Sequence, residues 1–140
     1  VQLGTFGAIL KYAIEIEDAA SLYYDELVKK ASEGSKTSIS ELSNASKKNK
    51  QALERTRRME MQEMILEAIS GIDTVNYDAK FDVPADFKAG LMNAVEIEKK
   101  ATAFYSDSSK KLGFLPNVER ILEKIGKERE ARIEKIRVFL

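Results

Sequence analysis

Apolar side chains along this 140-residue chain recur in alternating steps of four and three, the spacing that gives a helix one continuous buried stripe. In the first segment the stripe runs Phe6, Leu10, Ala13, Glu17, Ala20, Tyr24, Leu27, Ala31. A later segment gives Phe87, Leu91, Ala94, Glu98, Ala101, Tyr105, Ser108, Leu112. Gly34, Gly71 and Gly113 each follow a long periodic segment, where a left-handed C-terminal cap is expected, and Lys110 and Lys111 suit a last turn. Ser38 with Glu41 makes a capping-box pattern, and Pro84 and Pro116 stand where helices should begin. This punctuation predicts helices over 4–33, 38–70, 84–112 and 116–140, with two tight joints and one longer link, GIDTVNYDAKFDV.

Two helical hairpins joined by a longer link imply an all-α four-helix bundle with a crossover connection, since an up-down-up-down bundle needs no such link; the alternative is a wide turn that does not span the bundle. One domain over 1–140 is expected, with Tyr77 and Phe81 pinning the link onto the bundle.

The two stripes contain a repeated phrase. AIEIEDAASLYY, Ala13 to Tyr24, returns 81 residues later as AVEIEKKATAFY, Ala94 to Tyr105, with six of twelve positions identical. Internal duplication accounts for it, and divides the chain into pseudo-twofold halves, 1–70 and 84–140. Approximate symmetry then sets Glu17 opposite Glu98 in the middle of an apolar core, with room left by Ala20 and Ala101 and with tyrosine hydroxyls nearby. A bare buried carboxylate costs several kcal/mol unless it is protonated, paired or bound to a cation. A hydrogen bond from tyrosine to a neutral acid, escape to solvent along a loose seam, and a shared cation are the available solutions.

Composition narrows the chemistry. Lys+Arg and Asp+Glu balance at 23 each, so no overall field draws in nucleic acid or an anionic membrane. There is no cysteine and no histidine. Thiolate nucleophiles, zinc-thiolate centres and the usual general base near neutral pH are thereby absent. No apolar run reaches the roughly 18 residues of a membrane span, and the opening VQLGTFGAILKYAIEIED lacks the basic leader of a signal peptide, so a cytoplasmic location is expected.

At E-x-x-A-x-x-[YF]-Y, once in each half, the chain resembles the rubrerythrin branch of the ferritin-like superfamily. That resemblance implies a bundle in which the first and third helices each give a glutamate and the second and fourth each give E-x-x-H, together holding two iron or manganese ions. Glu17 and Glu98 match the first and third ligands. Aligning ISELSNASKKNKQALERTR with ERILEKIGKEREARIEKIR puts Lys48 and Gln51 at one E-x-x-H, and Glu128 and Ala131 at the other. The metal-ligand candidates are therefore Glu17, Glu98 and Glu128, with Lys48, Gln51 and Ala131 at the remaining positions and no histidine. Three inward carboxylates and one ammonium give a formal charge of minus two, which leads to the expectation that Lys48 pairs with part of the set while one or two of the acids stay protonated. The functional expectation is a non-catalytic binding or structural module with no cofactor. The alternative is an oxidoreductase using iron or manganese in a histidine-free site and acting on oxygen, peroxide or ferrous iron.

Three further features carry expectations of their own. KKNKQALERTRR is read as a solvated, salt-bridged face rather than a phosphate contact. In the fourth helix Glu123 with Lys127, and Glu128 with Arg132, form i,i+4 pairs that support the helix. MEMQEMILEAI, Met59 to Ile69, has apolar residues on more than one face; it is the expected homodimer contact, the alternative being a wide core stripe against the start of the first helix.

Overall fold

A computed structural model of the chain describes residues 1–61 and 67–140. Among these residues there are four α-helices: α1 (Phe6–Leu27), α2 (Glu33–Met61), α3 (Phe87–Lys111) and α4 (Pro116–Arg137). Extended structure is confined to one isolated bridge, Gln2 with Asp73. No described helix is long and apolar enough to cross a membrane.

The caps explain the observed boundaries. Thr5 opens α1 by accepting the Ala8 N–H on its side chain, and Asp86 opens α3 by accepting the Ala89 N–H. Pro116 occupies the first turn of α4, as expected. The joint after α1 differs from expectation. A 3-10 turn over Val28–Lys30 precedes α2, and the Ser32 carbonyl then accepts the Lys36 N–H at 3.1 Å. That bond starts the helix before Gly34, so Gly34 and the Ser38/Glu41 pattern lie inside α2. Of the three capping glycines only Gly71 has positive φ, at 86°, and residues 67–70 leading to it are not helical. It bends the link rather than closing a helix.

Side-chain pairs fix the directions of the helices. Tyr24 meets Glu98 while Tyr105 meets Glu17, so α1 and α3 run antiparallel. α2 is antiparallel to α1, with Ser43 on Asp25, Asn49 on Glu17 and Arg57 on Gly7. α2 and α3 therefore point the same way, and the link between them has to travel the length of the bundle.

Its contacts trace that path. Leu3 N–H donates to the Ile72 carbonyl at 2.8 Å beside the start of α1. Tyr77 then donates to Asp107 at 2.7 Å, its ring edge-on to Phe104. Farther on, Asn93 donates to the Lys80 carbonyl at 2.8 Å, and Pro84 lies beside Gly90. Tyr77 is buried and Phe81 half-buried, in keeping with their expected role as pins.

Two apolar clusters fill the interior, one around Phe6, Leu10, Phe104, Leu112 and Leu122, the other around Tyr23, Leu27, Ile39, Leu91 and Ile136. Between them lies a polar layer containing Glu17 and Glu98. At Gly90 and Gly126 the helices approach too closely for a side chain. An added Cβ would come within 2.5 Å of the Leu27 side chain at the first and 2.9 Å of Tyr105 Cβ at the second.

Candidate functional site

The seam spacing carries Glu17 and Glu98 inward, and neither has any exposed surface. Their partners are reciprocal. Tyr24, two turns beyond Glu17, donates to Glu98 Oε1 at 2.6 Å; Tyr105, two turns beyond Glu98, donates to Glu17 Oε2 at 2.7 Å. Burial, then the adjacent carboxylate, holds each of these phenols well above its ordinary pKa, so both remain donors.

Two arginines from α4 complete the layer. Arg129 reaches between the twin acids, donating through Nε to Glu98 and through Nη1 to Glu17. Arg132 lies on the Glu128 side. It pairs with Glu128 through Nε and through Nη2, the latter at 2.6 Å, donates to Ser46 at 2.8 Å and approaches Glu98 at 3.5 Å. Both guanidinium side chains are fully buried. Asn49 of α2 joins the ends by donating to Glu17 at 3.0 Å and to Glu128 at 2.9 Å.

The electrostatics follows from this geometry. Burial opposes the charge on Arg129, but Glu17 and Glu98 outweigh it and hold the guanidinium charged well beyond its normal range. For Arg132, burial and the neighbouring Arg129 oppose the charge, and Glu128 and Glu98 prevail. Burial likewise works to raise the Glu128 carboxyl, yet bonds from Arg132 and Asn49 bring it below the ordinary glutamate value. Three carboxylates against two guanidiniums leave a formal charge of minus one, on a cluster in which only the Glu128 side chain, at 32%, has substantial exposure.

Several sequence expectations need correction here. Lys48 does not enter the core. It is exposed, as are Gln51 and Ala131, and Glu128 is half-buried beside the seam. The reason is register. On α2 the inward positions are Ile39, Leu42, Ser46, Asn49 and Leu53; on α4 they are Val118, Leu122, Ile125, Arg129, Arg132 and Ile136. Matching the chain to E-x-x-H selected positions beside these stripes. The cation is thus arginine from α4 rather than lysine from α2. Glu128, with its carboxyl pKa lowered, is not one of the acids held protonated. The expected i,i+4 pair Glu128/Arg132 does form, and it joins the cluster around the twin acids. The four-and-three stepping applied to α4 would have found both arginines.

A di-metal centre does not fit this arrangement. Arg129 already spans the two glutamates that would bridge the ions, and its charge would repel them. Among the described residues no three acidic side chains group as a metal ion requires. Part of the expected dimer contact, residues 62–66, lies outside the described residues; Met59 and Met61 beside it are exposed. The basic residues of α2 include a salt-bridged face, with Lys47 on Asp25 and Lys50 on Asp18.

Comparison with protein families, with curated proteins and with solved structures yields no match to this chain.

Proposed function

We propose that this chain is a rubrerythrin-like member of the ferritin-like bundles in which guanidinium groups occupy the place of the metals, leaving a non-catalytic binding or structural module. One observation supports it above the others: Arg129 lies between Glu17 and Glu98, all three fully buried, where the family resemblance would put the cations. A charged guanidinium cannot leave its pairs without stranding two carboxylates, and arginine neither cycles between oxidation states nor offers an open coordination position. The arrangement is suited to holding four helices in fixed register. A second copy of the chain is the partner proposed for the exposed Met59 and Met61, at 60% and 47% exposure. Sedimentation at high concentration showing monomer alone would remove that part.

The test of the main claim is elemental analysis of purified protein followed by titration with iron and manganese, with Glu17→Ala as control. The expected outcome is no stoichiometric uptake and no peroxide or ferrous-iron turnover. Two ions per chain, lost in Glu17→Ala, would reverse the reading.

A further inference from the structure

Arg129 uses two of its three nitrogens on Glu98 and Glu17. The third, Nη2, is buried and has no hydrogen-bond partner. A buried donor left without an acceptor costs on the order of 1–3 kcal/mol, more for a charged group, so native structures supply one. Arg129 also lines a small cavity beneath the link, walled by Tyr12, Tyr77, Phe81, Ala101 and Phe104. The space open to the centre of a water-sized sphere there is about 10 Å³, close to the minimum of roughly 10–15 Å³ that one water needs.

We propose that this cavity is a binding site for one small uncharged hydrogen-bond acceptor on Arg129 Nη2, a single water molecule in the resting protein. Size excludes anything much larger without movement of the link. Charge argues against an anion. The cluster behind Arg129 already holds three carboxylates to two guanidiniums, and an anion at Nη2 would add to that excess inside a low-dielectric core. Lys100 at the cavity's edge is exposed, so solvent screens its charge. A neutral acceptor satisfies the donor without disturbing the balance. Tyr77 and Phe81 of the link line one side of the cavity, and Nη2 itself is buried.

Oxygen-17 magnetic relaxation dispersion on the full chain counts waters held longer than the protein tumbles. Ala101→Val adds methyl groups at the cavity wall without touching Arg129's acids, and the count should fall by one relative to the wild type. An unchanged count in a variant of wild-type helicity, or no long-lived water in the wild type, would overturn the proposal. Crystals of the wild type grown in bromide give an independent reading that stands even if the variant fails to fold. A water-sized density peak on Nη2 without anomalous signal is expected. A bromide peak there, or no density, would contradict it.

Discussion

The α1/α3 pair and the α2/α4 pair face the same buried layer, yet only the first places matching residues of the repeated phrase symmetrically on it. Across α1 and α3 the acids and the phenols that bond them are matched, glutamate for glutamate and tyrosine for tyrosine, with hydrogen bonds of 2.6 and 2.7 Å. Across α2 and α4 the mates diverge. Asn49 donates to Glu17 from the position where Arg129, 80 residues on, donates to Glu98. One is a neutral amide, the other a cation that spans both acids. Symmetric negative charge is thus neutralised from one side only. A single guanidinium can serve two carboxylates because its donors point in different directions along a rigid plane.

The largest expected effect comes from removing that cation. Arg129→Met keeps the bulk and strands two buried carboxylates, so unfolding in urea should show a loss of about 3–5 kcal/mol. The same change to its mate, Asn49→Leu, removes a neutral donor and should cost about 1–2 kcal/mol. Equal losses would mean that the asymmetry has no energetic content. Next come the tyrosines. Tyr24→Phe and Tyr105→Phe each delete one bond to a charged acceptor, worth roughly 1.5–3 kcal/mol, and the two losses should agree within about 0.5 kcal/mol. Unequal losses would break the symmetry claimed for α1 and α3.

A smaller effect involves Glu128. Its folded-state pKa lies below the ordinary value of 4.5, so its contribution to stability is fully present above that value and is lost as pH falls through the folded pKa. The stability gap between wild type and Glu128→Gln should therefore narrow on acidification, as followed by urea unfolding at a series of pH values. A gap that widened would mean that the acid is held protonated. The smallest effect is expected at Lys48. This side chain is on the surface, and Lys48→Glu should change stability by no more than about 0.5 kcal/mol and leave metal uptake unaltered.

The comparison also explains what could be read from the sequence. Helix number, the hairpin arrangement and the inward glutamates were legible because seam spacing and the repeated phrase both report on α1 and α3, whose stripes carry no charged residue apart from the acids. Helix ends were less so. Gly34 gave a stop signal that a backbone bond from Ser32 to Lys36 overrides. On α4 the inward stripe includes Arg129 and Arg132, residue types normally assigned to solvent. Their burial becomes intelligible only once Glu17 and Glu98 are known to need a counter-charge. The family pattern points to Lys48 and Glu128, each one residue before the inward Asn49 and Arg129, although Arg129 completes the same four-and-three progression that holds the glutamates.

Urea unfolding of the wild-type protein with a chelator, compared with unfolding in excess manganese, tests the central claim most directly. If guanidinium groups hold the twin acids, the midpoints coincide, because a ligand that does not bind the folded state cannot stabilise it. A midpoint that rises with manganese and is lost again in Glu17→Ala would place a metal, and not Arg129, between Glu17 and Glu98.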